Sequence, residues 1–147
     1  EEHRAADVTL EEDDSGVSLD MRLEAAYPEE AGLQELRRTL RFVRKPHAEV
    51  ILADRFAMRG ERDAVVTMPL YTPAEVNTDM PDMLLVQTDS NALAVSYDSN
   101  RLSVAVQEVA LTDGQLRGCW GEKLNKIVFS TRAKRTEGSY ELRFTPA

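Results

Sequence analysis

GVSLDMRLEAAYPEEAGLQELRRTLRFV, residues 16–43, sets the reading of everything around it. Its first part alternates. Val17, Leu19, Met21 and Leu23 fall on one side of an extended chain, and Ser18, Asp20, Arg22 and Glu24 on the other, as in a half-buried antiparallel strand. Its last part, Leu36 to Val43, alternates again. The middle, AAYPEEAGL, is neither strand nor ordinary hairpin turn. Pro28 suits a first helical turn, Glu29 and Glu30 suit its positive end, and Gly32 keeps it short, so PEEAGLQEL is expected as one short helical insert between two strands.

Outward from this stretch the same alternation recurs in AEVILADRF (48–56), DAVVTMPL (63–70), MLLVQTD (83–89), NALAVSYD (91–98), RLSVAVQEVAL (101–111), KLNKIVFSTR (123–132) and SYELRFT (139–145), with ADVTLEE near the start. Between them DDSG, RGER, YDSN, TDG and TEG supply the Gly, Asn, Asp and Ser that turns need. Some ten strands at short spacing, with no long helical period among them, predict an all-β fold, an antiparallel β-sandwich. At 147 residues, 42% hydrophobic and 30% charged, the chain suits one filled core, so residues 1–147 are expected to form a single domain.

Composition excludes several classes. No apolar run approaches a bilayer-spanning length, so no membrane partner is expected. The lone Cys119 rules out an internal disulfide framework and a cysteine-rich zinc site. A net charge of −8, from 26 acidic and 18 basic residues, opposes nucleic acid as a partner. The basic residues are nonetheless clustered, as Arg37, Arg38, Arg41, Arg44 and Lys45 and again as Lys123, Lys126, Arg132, Lys134 and Arg135; the ordinary reading is solvated strand faces and loop ends. A start at Glu1 without a signal-like segment is read as a processed chain or a fragment and leaves the compartment open: secreted or periplasmic, or cytoplasmic.

Three charged residues break the inward pattern. Arg38 shares parity with Leu36, Leu40 and Phe42; Asp54 shares it with Val50, Leu52 and Phe56; Glu108 shares it with Leu102, Val104 and Val106. A buried guanidinium must be paired, so Arg38 is expected to form a structural ion pair with Glu108, Asp54 or both; a substrate clamp is the functional alternative.

No catalytic group stands complete in the chain. His3 and His47 lack partners at metal-ligand spacing, and there is no GxSxG, P-loop or GxGxxG pattern, so no metal and no cofactor is expected. Tyr27 could serve as a general base, but beside Pro28 and two glutamates it reads better as an amphipathic ring anchoring the insert. Trp120, between two glycines in GCWGEK, reads as a core or domain-interface plug or as a sugar-stacking platform.

Two stretches carry a resemblance. DMRLEAAYPEEAGLQELRRTLRFVRKPHAEVILADRF resembles a pattern of the heparinase II/III-like polysaccharide lyases: a strand, an AYP-x-x-AGL insert, an Arg-bearing strand and a strand ending in Asp-x-Phe. QEVALTDGQLRGCWGEKLNKIVF is similar to the family's late pattern of a Glu, an Asp-x-x-Leu, a Trp-Gly and a basic-Ile strand, with Lys126 where Arg is frequent. The resemblance implies the C-terminal β-sandwich region of a larger enzyme. In such an enzyme an N-terminal α/α-toroid catalytic domain of the same parent chain would be its partner. It also implies β-elimination of uronate-containing polysaccharides, in which a base removes the C5 proton and an acid assists the leaving oxygen. Tyr and His fill those roles in the family. Its histidine-rich and metal-binding segments have no counterpart in the chain, so no catalytic or metal residue is assigned.

The expected function is therefore a non-catalytic sandwich domain that packs on that toroid and lines the cleft for an acidic polysaccharide. Trp120, Tyr27, Arg37 and Arg41 are the candidate glycan or domain-interface contacts. An independent carbohydrate-binding module is the alternative. A complete small lyase is disfavoured for want of a base and acid pair.

Overall fold

Side chains that alternate along a strand sort themselves onto two faces, and the chain uses this to build two layers. The computed structural model describes residues 3–147. Among them are strands β1 (Ala6–Asp13), β2 (Gly16–Arg22), β3 (Leu33–Val43), β4 (Glu49–Met58), β5 (Thr67–Thr72), β6 (Glu75–Asn77), β7 (Met83–Gln87), β8 (Ala92–Ser96), β9 (Leu102–Ala110), β10 (Lys123–Thr131) and β11 (Glu137–Pro146), with helix α1 (Gly114–Trp120) between β9 and β10. An eight-stranded sheet runs in the order β1-β2-β3-β4-β11-β8-β7-β6, and a three-stranded sheet in the order β5-β10-β9. Every strand pairing is antiparallel. The molecule is an all-β sandwich.

The core lies between the sheets. Leu52, Leu84, Val95, Tyr140 and Leu142 of the large sheet meet Met68, Leu102, Ile127 and Phe129 of the small one. Each fully buried side chain of this size contributes roughly 1.5–3 kcal/mol relative to exposure. The small sheet is too narrow to cover all eight strands, and exposure along one row rises from 0% at Leu142 to 66% at Leu10 on the edge strand β1.

A second cluster, Leu36, Phe56 and Met58, is closed by Leu23, Leu33, Ala64 and Val66. The insert between β2 and β3 forms one side of this closure and the chain between β4 and β5 the other. The insert differs from the expected helix. Glu24–Ala26 and Glu29–Ala31 are single 3-10 turns. Gly32, at φ 66°, ends the second turn by donating to the Glu29 carbonyl at 2.9 Å. Leu33 then pairs at once with Met58 of β4, so strand begins where the sequence pattern suggested helix. Two arginines after β4 pin the turns: the Arg59 backbone N–H donates to the Gly32 carbonyl at 2.8 Å, and Arg62 Nη1 donates to the Glu30 carbonyl at 3.0 Å.

The helix that does form, α1, falls in a stretch read as a TDG turn. Asp113 caps it, its carboxylate accepting from the backbone N–H groups of Gln115 and Leu116, each at 2.9 Å. Strand β6, only three residues long, is likewise an addition to the expected set.

Candidate functional site

Register places one polar row inside the large sheet. Met21 of β2 lies opposite Arg38 of β3, Arg38 opposite Asp54 of β4, and Asp54 opposite Tyr140 of β11. The Arg38 guanidinium grips Asp54 with two parallel bonds, Nε to Oδ1 and Nη2 to Oδ2, each 2.7 Å. The Tyr140 hydroxyl donates to Asp54 Oδ2 at 2.6 Å. Asp54 is 2% exposed, so three donors replace the water it has lost.

These contacts hold each group in one ionisation state. Hydrogen bonding to Asp54, and then its negative charge, keep the Arg38 guanidinium protonated more firmly than an ordinary arginine. Burial first, and then the neighbouring carboxylate, push the Tyr140 phenol well above the usual tyrosine range. A phenol so held is a hydrogen-bond donor, not a base.

Glu108 is not in this row. Its strand parity is that of Val104 and Val106, but β9 is exposed from Ala105 to Glu108, and Glu108 accepts from Lys123 at 2.6 Å with both side chains at least half exposed. Parity identifies a face; it does not say how far along the strand the opposite layer reaches.

Tyr27 stands at the end of the first insert turn, 47% exposed, and with Arg38, Asp54, Tyr140 and Leu36 it lines a cavity of about 210 Å³. Arg37 and Arg41 have the opposite parity to Arg38 and lie on the outer face of the large sheet. Arg37 Nε donates to Asp20 at 2.7 Å, and Thr39 donates to the other Asp20 oxygen at 2.8 Å; with Arg37 the larger cause, both hold the Asp20 carboxyl below the usual carboxylate range. Arg41 instead borders an acidic hollow with Glu11, Glu12 and Asp13 from the β1–β2 hairpin. Trp120, at the end of α1, is 51% exposed, so it plugs no core in this chain; the interface and sugar-platform readings remain.

The sequence reading missed Tyr140, the third member of the buried row. Its parity with Leu142 and Phe144 marks it as inward, and a buried tyrosine hydroxyl needs a partner, so the signal was present. Among the described residues no group of three or more His, Cys, Asp or Glu side chains could hold a metal ion, and no helix is long and apolar enough to cross a membrane.

This arrangement, a two-layered antiparallel sandwich with an insert closing one end, is the architecture of a region of heparinase III-type polysaccharide lyases. The chain is similar to heparan sulfate lyase HepC from Pedobacter heparinus, at 14% identity and a TM-score of 0.63 over 97% of this chain and 22% of that one. It is similar to a heparinase III gene product, at 13% identity and a TM-score of 0.69 over 97% of this chain and 21% of that one. A further heparinase III structure gives 15% identity and a TM-score of 0.64, with coverage of 97% and 21%. At these identities the likeness is one of fold, and the chain spans 21–22% of the length of the structures it matches. No family model matches the chain, and no curated protein matches it by sequence.

Proposed function

We propose that the chain is the non-catalytic, C-terminal β-sandwich portion of a heparinase III-type polysaccharide lyase. Its partner would be an α/α-toroid catalytic domain of the same parent chain, against which it packs while forming one wall of the cleft for a uronate-containing glycan. One observation carries this reading: 97% of the chain is accommodated within about a fifth of each matched lyase. The chemistry of the site agrees. β-Elimination needs a group that accepts the C5 proton and another that donates to the leaving oxygen. Tyr140 is buried with its proton held, Asp54 is consumed by Arg38 and Tyr140, and His47 lies in an exposed loop. The row therefore serves structure, fixing the β3–β4–β11 face on which the insert rests.

The test is an NMR titration of the chain with uronate-containing oligosaccharides, watching for alkene protons of the unsaturated product. No alkene is expected from the chain alone; its appearance overturns the non-catalytic assignment. The exposure of Trp120 favours a second reading, an independent carbohydrate-binding module. In that case Trp120→Ala would abolish saturable oligosaccharide binding while leaving the fold intact.

A further inference from the structure

The large sheet's outer face and the adjacent end of the sandwich gather arginines from distant parts of the chain. Register sets Arg22 opposite Arg37 and Arg37 opposite Arg55, three guanidinium-bearing residues side by side on β2, β3 and β4. Like charges directly opposite each other cost stability. Arg22 is offset by Asp7 and Glu24 and Arg37 by Asp20, while Arg55, at the centre of the sheet, has only the longer contact to Glu35. Ser139 of β11 continues it, opposite Arg55.

Above this row is an open groove of about 500 Å³, lined by Arg37, Thr39, Arg55, Arg101, Ser139 and Glu141. A smaller hollow of about 140 Å³ adjoins it and is lined by Arg101, Arg132, Arg135, Asn100, Ser139 and Glu137. Arg101, in the turn before β9, forms part of both walls. From Arg37 to Ser139 the groove crosses two strand spacings, ~10 Å.

The charge balance here runs against that of the whole molecule. Arg37, Arg55, Arg101, Arg132 and Arg135 line the two hollows with Asp54, Glu137 and Glu141, in a chain of net charge −8. Asp54 is consumed by Arg38, and Arg37 is paired with Asp20. Glu141 is occupied by Arg143 at 2.7 Å. Among the described residues Arg55 pairs with one carboxylate, Glu35, at 3.4 Å with its own side chain 73% exposed. Among the described residues, Arg101, Arg132 and Arg135 form no ion pair, and Arg132 spends Nε on the Ser99 carbonyl. Solvated arginines on a protein surface are common. Here Arg37 and Arg55 have carboxylate neighbours and Arg101, Arg132 and Arg135 have none among the described residues.

We propose that the two hollows joined at Arg101 form a binding groove for an acidic glycan, with guanidinium forks taking its carboxylate or sulfate groups and Ser139 and Thr39 facing its hydroxyls. Planar guanidinium groups match both oxyanions in bidentate fashion. The choice of glycan over other polyanions rests on the lyase reading above, and the site deepens it. The groove includes Arg37, one of the four contacts marked in the sequence, and leaves out Trp120, Tyr27 and Arg41.

The experiment is an NMR titration of the full chain with a heparin-derived tetrasaccharide, a neutral glucan oligomer and a short DNA duplex at one fixed salt concentration. The tetrasaccharide is expected to shift Arg55, Arg101 and Ser139 resonances saturably, and the glucan to shift none. Arg101→Ala and Arg55→Ala are each expected to weaken binding about tenfold, the loss of a charge-assisted contact, while Arg41→Ala leaves it unchanged. Absence of saturable shifts, shifts confined to Trp120, or unaltered binding by Arg101→Ala overturns the groove. Equally tight binding of the duplex overturns the glycan assignment. Failure of the groove without alkene formation leaves the non-catalytic sandwich role standing, whereas alkene formation overturns that role whatever the groove binds.

Discussion

Arg38→Met should be a costly single substitution in the large sheet, and the size of the effect follows from what it strands. Arg38 supplies two of the three donors to Asp54, both at 2.7 Å, and Asp54 is 2% exposed. Removing one member of a buried pair costs ~3–5 kcal/mol, because the remaining charge is left uncompensated. The Arg38 side chain keeps 26% of its exposure, and Tyr140 still donates to Asp54, so the lower end, about 3 kcal/mol, is expected. With a urea m-value of about 2 kcal/mol/M, the unfolding midpoint should fall by about 1.5 M at unchanged m. That is a large part of a typical domain stability of ~5–15 kcal/mol, yet it leaves a folded chain to measure. Adding Asp54→Leu and Tyr140→Phe removes the stranded carboxylate and the hydroxyl that would then lack an acceptor. The triple variant should recover about 2 kcal/mol or more, since buried ionic groups exchanged for packed apolar ones are often neutral. A cost below about 1 kcal/mol for Arg38→Met, or single-variant costs that simply add in the triple variant, would refute the reasoning.

Three further outcomes are expected. Because the folded Tyr140 phenol ionises above the unfolded one, its contribution is complete below about pH 10 and drains away as pH rises beyond that, by up to ~1.4 kcal/mol per pH unit; Tyr140→Phe should flatten this alkaline loss in urea melts at stepped pH. Gly32→Ala forces a left-handed conformation on a residue with a side chain, at φ 66° and against the Arg62 guanidinium, and should cost ~1–2 kcal/mol with faster amide exchange confined to the insert. Asp113→Ala removes the cap of a seven-residue helix and should cost ~1 kcal/mol, with Trp120 fluorescence reporting the loosening of α1 before the sheet melts.

What was legible in the sequence was everything that depends on parity. Leu36, Arg38, Leu40 and Phe42 share a face because successive side chains point to opposite sides, and the same parity puts Asp54 and Glu108 on inward faces as two alternative partners for Arg38. What was not legible depends on extent. Glu108 has the same inward parity as Val104, but the layer opposite ends before it, and no local signal marks where one sheet stops covering another. The Asp113 helix shows a different limit: an Asp followed by Gly is both a turn signal and a cap with its first helical residue, and seven residues are too few to establish a helical period. The three-residue β6 is shorter than the pattern that would reveal it.

The arginine groove marks the deepest limit. The two basic clusters read as separate solvated faces because they lie some ninety positions apart, as do Arg37 and Arg132. Antiparallel closure of β11 against β4 brings the chain after β10 back to the side of β3 and β4, and the turn before β9 delivers Arg101 between them. Net charge averaged over the chain then points the wrong way. A value of −8 describes the acidic β1–β2 hairpin and the loops, whereas a ligand meets only the charges within about a Debye length, ~8 Å at physiological salt. An acidic chain can therefore present a cationic groove, and the sign of its whole-chain charge is no argument against an anionic partner at that one place.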